Sequence, residues 1–133
     1  MSKELIVKYD KIVKRIETEM HIESTLEPME RIKIKAIWDT GAESTMITHE
    51  LAQKLKLSSV AITTINSISE RNIITNIYMV NLYLPNGVKI ESFVDESKPI
   101  NCDILIGMDI ISKGLFNIDN REGKTNFSFE YLL

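Results

Sequence analysis

Apolar and polar residues alternate along several short stretches of the chain, and this alternation predicts β-strands. It is clear in residues 19–23 and 32–38, which flank a polar stretch that holds Pro28, so these segments are predicted to form a β-hairpin. Residues 3–16 fit a helical stripe, but their β-branched content favours a strand, which we predict there. We therefore expect residues 1–17 to form an N-terminal extension or an extra strand.

More short strands separated by turn residues are predicted in the rest of the chain. They cover residues 60–65, 73–84, 88–94, 104–106 and 127–132, and Pro85, Asn86 and Gly87 supply a turn. One short helix is predicted over residues 49–55, because Thr48 can cap it and Leu51 and Leu55 lie four residues apart on one face. Many short strands with tight turns indicate an all-β sandwich or barrel.

Composition narrows the class of protein. The chain has 133 residues, of which 44% are apolar and 26% charged, as expected for one globular domain over residues 1–133. The 16 basic and 19 acidic residues are spread along the chain and give a net charge of -3, so we expect no nucleic-acid partner and no anionic membrane partner. Cys102 is the single cysteine, and neither a signal segment nor a transmembrane span is evident, so the expected location is cytoplasmic.

The segment that carries candidate chemistry is an apolar strand that runs directly into Asp39-Thr40-Gly41-Ala42. A carboxylate at a strand end is followed there by a hydroxyl and by a glycine, which lets another main chain approach closely. Aspartate and glycine are also ordinary turn residues, so these residues alone fit a plain turn equally well. A second element lies later in the chain: an apolar strand over residues 104–106, Gly107, and a short predicted helix over 110–113.

Together these two elements resemble those of the retropepsin-like aspartic proteases, which include retroviral proteases, the protease domains of retrotransposons and single-domain bacterial relatives. The resemblance covers about residues 18–133, and residues 47–55 resemble a short helix of the bacterial and retrotransposon members. It implies an all-β fold, a small closed β-barrel with one or two short helices. It also implies an endopeptidase that acts on polypeptides as a homodimer, without a metal or another cofactor.

The resemblance assigns roles to individual residues by position. Asp39 would be the catalytic aspartate, Thr40 would tie two active-site loops together, and Gly41 would pass close to the substrate backbone. Asp109 would open the helix over residues 110–113, which Gly114 would close; capping chemistry gives the same placement, so a structural role is expected for Asp109. Thr45 would also be structural.

Substrate-binding residues are implied in two places, the loop after Asp39 and the flap hairpin that closes over substrate in the family. These residues are Ala42, Glu43 and Ser44 in the loop, and Ser67, Ile68 and Ser69 in the flap. Ser44 departs from the family, since retroviral members have an acidic residue there. The flap segment, residues 65–71, also departs, because it lacks the glycines of retroviral flaps.

The chemistry explains why one Asp-Thr-Gly loop needs a second. Hydrolysis of a peptide bond by a bare water needs one carboxylate to take a proton and a carboxylic acid to polarise the carbonyl. The chain has one such loop, so the second must come from a second copy across a twofold axis. The terminal strand, with Phe127, Phe129 and Tyr131 alternating on one face, resembles the interface strand of the family; an ordinary half-buried strand is the alternative.

An alternative function keeps the fold without the reaction: a retropepsin-like dimerisation module that binds a peptide or partner without cutting it. The intact Asp39 loop favours the enzyme, whereas the glycine-free flap and Ser44 favour the binding module. Other chemistry is poorly supported. His49-Glu50 begins like a zinc-protease helix, but Gln53 stands where the second histidine is needed, and Cys102 beside an apolar strand is typical of a packed thiol.

Overall fold

A computed structural model describes residues 4–65, 72–97 and 101–132. This part of the chain forms ten β-strands and two short helices. In chain order they are β1 (Glu4–Lys8), β2 (Ile16–Ser24), β3 (Arg31–Trp38), β4 (Met46–Thr48), α1 (His49–Lys54), β5 (Ala61–Ile65), β6 (Ile73–Tyr83), β7 (Lys89–Ser97), β8 (Ile104–Ile106), α2 (Met108–Ile111), β9 (Gly114–Asp119) and β10 (Asn126–Tyr131). Neither helix in the described ranges is long and apolar enough to cross a membrane.

Six of the strands close into a barrel. Their order is β2-β3-β8-β4-β7-β6, and β6 completes the circle because it pairs with β2 as well as with β7. Strand β5 extends the sheet beyond β6. Most neighbours are antiparallel, whereas β3 with β8 and β4 with β7 are parallel pairs. The predicted all-β closed barrel is confirmed, as is the hairpin, in which Met20 lies opposite Ile34.

A second sheet of three strands, in the order β1-β10-β9, packs against one end of the barrel. Its core is aromatic: the Trp38 ring lies 5.2 Å from that of Phe127 and 5.0 Å from that of Phe129, measured between centroids, and both phenylalanines are 0% exposed. The strand β10 therefore turns its aromatic face into the core of its own chain, with both edges paired. The aromatic face thus fits the alternative of an ordinary half-buried strand, and the role of β10 at a dimer interface stays a prediction.

The predicted strand over residues 3–16 is interrupted, because β1 ends at Lys8 and β2 begins at Ile16. Thr125 holds the intervening loop in place. Its carbonyl accepts from the Tyr9 N–H at 2.9 Å, its hydroxyl accepts from the Val13 N–H at 3.0 Å, and its own N–H donates to the Lys11 carbonyl at 3.1 Å. Three backbone groups of the loop are thus satisfied without a strand partner.

Helix α1 follows the prediction from sequence. It begins after Thr48, whose hydroxyl accepts from the Leu51 N–H at 3.2 Å, and it buries Leu51 and Ala52. The turn at residues 85–87 also forms, with Gly87 at a φ of +88°. Strands β4 and β9 were not predicted: β4 has three residues, too few to show an alternation, and β9 alternates only in its first four positions.

Candidate active site

Asp39 stands at the point where β3 leaves the barrel. Its N–H donates to the Ile106 carbonyl at 2.8 Å, so the loop that follows is anchored on β8. The half-buried carboxylate accepts from the Gly41 N–H through Oδ1 at 2.8 Å. Within the described residues no other side chain forms a hydrogen bond or ion pair with it. Oδ2 therefore has no hydrogen-bond partner among the described residues.

Glycine at position 41 leaves room for the carboxylate. A Cβ there would lie 3.1 Å from Asp39 Oδ1, tighter than most real contacts of this kind, so the carboxylate would have to shift. Thr40 and Gly41 are exposed, so the tip of the loop faces outward. The Ala42 N–H donates to the Asp39 carbonyl at 3.2 Å and closes the turn. The loop thus presents its carboxylate and an exposed hydroxyl on one surface.

Helix α2 supports the loop from behind through main-chain hydrogen bonds. The Met108 N–H donates to the Ala42 carbonyl at 2.7 Å, and the Asp109 N–H donates to the Glu43 carbonyl at 3.1 Å. The Glu43 side chain is exposed. Gly107 allows this approach, since a Cβ there would lie 2.6 Å from the Ser44 carbonyl oxygen. The second element of the sequence analysis, with Gly107 at its centre, therefore packs directly against the Asp39 loop.

Thr45 and Asp109 lock the loop and the helix together. Thr45 is 0% exposed; its hydroxyl donates to Asp109 Oδ1 at 2.7 Å and accepts from the Gly107 N–H at 3.1 Å. Its N–H donates to Asp109 Oδ2 at 3.0 Å. The predicted structural character of both residues agrees with this network, but the predicted helix start is wrong. Helix α2 begins at Met108 after Gly107, without a side-chain cap, because the Asp109 carboxylate faces Thr45 instead.

The predicted role of Gly114 in ending this helix is also wrong. The helix cap is Ser112, and Gly114 is the first residue of β9. A Cβ on Gly114 would lie 2.2 Å from the Glu130 carbonyl oxygen, so the residue is small because β10 passes directly against it. The sequence thus indicated that position 114 needs glycine, but the reason is the close approach of β10 and not the end of helix α2.

Ser44 leads to a residue that sequence reasoning missed. Its hydroxyl donates to Asp95 Oδ2 at 2.7 Å, and the Asp95 N–H donates to the Thr45 carbonyl at 3.0 Å. Both side chains are half-buried. In the sequence Asp95 is one more polar residue of an alternating strand, and nothing local marks it. Only the parallel pairing of β4 and β7 brings it beside the Asp39 loop.

A cavity of about 490 Å³ opens beside Asp39 and Thr40 on the side of the three-stranded sheet. Arg15, Ile37 and Phe116 contribute to its walls. Arg15 is held by Glu17, with Nε 2.8 Å from Oε1, so its charge is already partnered. The cavity is open to solvent and has both polar and apolar walls, so Asp39 is accessible from this side.

Comparison with solved structures places this architecture among known folds. The chain superposes on a retropepsin-like aspartic protease from Rickettsia conorii with a TM-score of 0.64 and 15% identity, over 98% of this chain and 96% of that one. The EIAV protease in complex with the inhibitor HBY-793 gives a TM-score of 0.58 and 22% identity, over 80% and 92% of the two chains. This chain has the retropepsin-like fold.

A third similar structure, the retroviral protease-like domain of Ddi1 from Leishmania major, gives a TM-score of 0.55 and 17% identity over 86% of this chain and 94% of that one. No protein-family model matches the sequence, and no curated protein matches it. The retropepsin-like fold is thus evident in the architecture, at sequence identities that show the fold alone.

The remaining predicted site residues are not part of this loop. Ser67, Ile68 and Ser69, the flap residues expected in a retropepsin-like fold, lie outside the described residues. His49 opens α1 with Nδ1 3.1 Å from Glu96 Oε1. Burial raises the pKa of the Cys102 thiol, as expected for a packed side chain. In the three described ranges no group of His, Cys, Asp or Glu side chains has the arrangement of a metal site.

Proposed function

We propose that the protein is an aspartic endopeptidase that acts as a homodimer, with water held between Asp39 and Asp39 of the partner subunit. The observation that carries the proposal is the state of the Asp39 carboxylate. It is half-buried at a strand end, one oxygen is fixed by the Gly41 N–H at 2.8 Å, and no lysine or arginine of the described residues pairs with it. The retropepsin-like fold supports the same assignment.

The reaction divides between two carboxyl groups. Two carboxylates that share one water molecule repel each other and cannot both be ionised, so the pair holds one proton. The ionised group takes a proton from the water as the oxygen attacks the peptide carbonyl carbon, and the protonated group donates to the carbonyl oxygen. On collapse of the tetrahedral intermediate, the carboxyl group that took the proton from water gives it to the leaving amide nitrogen as the C–N bond breaks. The other carboxylate takes a proton from a hydroxyl of the intermediate as the new carboxyl group forms, so the pair again holds one proton. No metal or organic cofactor takes part in this scheme.

The outward surface of the loop suits a second copy. Thr40 is exposed, and Met108, which is 37% exposed, is tied to the same loop through its N–H. A twofold axis beside Asp39 would bring two identical loops together in an isologous contact. Because the chain has one Asp-Thr-Gly loop, the dimer is a requirement of the mechanism.

Digestion of a mixed peptide library tests the proposal. We expect cleavage that a statine-type transition-state mimic inhibits, and loss of activity of about 10³-fold or more in Asp39→Asn, whose amide cannot act as the base. Circular dichroism should show that this variant keeps the fold. Library peptides that bind without being cut would support the non-catalytic peptide-binding module instead.

A further inference from the structure

One row of half-exposed side chains crosses five strands of the barrel and ends beside the catalytic loop. Ile37 pairs with Leu105, Leu105 with Met46, Met46 with Asp95, and Asp95 with Ile77. Directly paired residues project from the same face of a sheet, so these five side chains share a face. We call these five residues the groove row. Ile37 and Asp39 line the same cavity, so the groove row begins beside the carboxylate.

The groove row lies on the outside of the barrel. Neighbours of its members along the strands are buried in the barrel core: Ala36, Trp38, Ile47, Tyr78, Val94, Ile104 and Ile106. The row members themselves are all of intermediate exposure. A half-exposed row next to a reactive carboxylate is the surface on which an extended peptide would lie.

Asp95 is the one charged member of this row. The other four are apolar, and Asp95 lies between Met46 and Ile77. Its carboxylate accepts from the Ser44 hydroxyl at 2.7 Å, and no lysine or arginine of the described residues forms an ion pair with it. An ionised carboxylate accepts about four hydrogen bonds, and among the described residues the Ser44 hydroxyl is the one side-chain donor to it. A carboxylate that lies among apolar side chains gains from a cation.

We propose that Asp95 and Ser44 form an acidic subsite in the peptide groove that selects a lysine or arginine side chain of the substrate. The inference rests on the proposed function, because it takes the groove row as the floor of the peptide site. Three strand spacings separate Asp95 from Ile37, roughly 14 Å along a flat sheet, so the basic residue lies about two to four residues from the scissile bond. Apolar side chains fit the neighbouring positions, over Leu105 and Met46.

Paired substrates provide the test. A library-derived octapeptide that is cut carries lysine at the position facing Asp95, and its twin carries norleucine, which has a similar length and no charge. The ratio of kcat/KM for the lysine peptide to that for the norleucine peptide is measured for the parent, Asp95→Asn and Glu91→Gln. Glu91 is an exposed residue of the same strand, so its variant matches the change in charge.

We expect a parent ratio of at least tenfold that falls to near one in Asp95→Asn and is unchanged in Glu91→Gln. Asparagine keeps an acceptor for the Ser44 hydroxyl, so the variant should fold. In the parent, 0.5 M salt should also lower the ratio, because screening weakens a charge pair. A parent ratio near one, or an equal ratio in Asp95→Asn, overturns the acidic subsite.

Binding separates this inference from the proposed function. A lysine octapeptide selected from the library by binding to Asp39→Asn, and its norleucine twin, are compared by fluorescence polarisation on Asp39→Asn and on Asp39→Asn with Asp95→Asn. A lysine preference that requires Asp95, together with no cleavage by the parent, would leave the subsite standing and overturn the peptidase. Cleavage by the parent with no effect of the Asp95→Asn substitution would overturn the subsite and leave the peptidase standing. Failure of both binding and cleavage would overturn both.

Discussion

The Thr45 main-chain N–H and hydroxyl both donate to the Asp109 carboxylate, one to each oxygen, at 3.0 and 2.7 Å. The same hydroxyl accepts from the Gly107 N–H, so one buried threonine joins the Asp39 loop to helix α2. A bidentate carboxylate leaves little freedom for the loop. The position of the Asp39 carboxylate is thus set partly by a residue 70 positions away in sequence.

This network predicts a graded loss between two substitutions. Asp109→Ala leaves two donors of the fully buried Thr45 without an acceptor and should lower the free energy of unfolding by about 1–3 kcal/mol for each unsatisfied group. Asp109→Asn keeps one acceptor oxygen, so its free energy of unfolding should lie between those of the parent and the alanine variant. Urea unfolding measures the stability, and kcat should fall in the same order because the loop loosens. An alanine variant as stable as the parent would show that the network contributes nothing.

We expect the residue at position 42 to shift the pH profile of the proposed peptidase activity. Ala42 follows the Asp-Thr-Gly segment and has no hydroxyl to donate to the catalytic carboxyls. A hydroxyl donor favours the ionised form, so Ala42→Ser should move both limbs of the bell-shaped profile of kcat/KM to lower pH. The parent should work best under mildly acidic conditions. A serine profile that overlays the parent, or moves upward, would mean that desolvation rather than hydrogen bonding governs the pair.

Glu23 links stability to pH where the barrel closes. Burial alone would raise the pKa of Glu23, but hydrogen bonds from Asn81, Tyr83 and Arg31 outweigh it, and the pKa lies below its ordinary value. The donors lie 3.1, 3.0 and 3.4 Å from its oxygens. A carboxyl whose pKa is lower in the folded state adds stability above its unfolded pKa, and this contribution is lost as pH falls through the folded value.

The parent should therefore lose more of its Tm between pH 7 and pH 3 than Glu23→Gln, which cannot titrate at that position. Glu91→Gln, a change at an exposed glutamate, should follow the parent. Thermal unfolding by circular dichroism at a series of pH values provides the comparison. Parallel curves for the parent and Glu23→Gln would show that the Glu23 network adds no pH-dependent stability.

Local patterns were sufficient for much of the fold. The alternation over residues 32–38 predicted β3, and the spacing of Leu51 and Leu55 with Thr48 predicted α1, because neighbours in sequence determine these elements. The Asp39 loop was also predictable, because the Asp39-Thr40-Gly41 segment at a strand end is followed later in the chain by the apolar strand, Gly107 and short helix; without that second element it fits a plain turn equally well. The structure adds the distances of the hydrogen bonds that hold these elements and the Asp39 loop in place.

Long-range partners were not predictable. The alternation of Phe127 and Phe129 shows that one face of β10 is buried, but it cannot show whether the burying surface belongs to the same chain. Asp109 resembles a helix cap in sequence, because a cap and an acceptor for a distant threonine use the same carboxylate. Asp95 gains its place beside Ser44 only through strand pairing. Each of these features depends on a contact between segments far apart in sequence.

Subunit mixing is the most direct test of the central claim, that each active site uses Asp39 from two chains. Parent protein is equilibrated with increasing amounts of Asp39→Asn, and activity is measured per mole of parent chain. Mixed dimers would hold one carboxylate and be inactive, so activity should fall to about half in an equal mixture and continue to fall with the parent fraction. Activity per mole of parent that stays constant across the mixtures, with subunit exchange confirmed by labelled chains, would contradict the shared dyad.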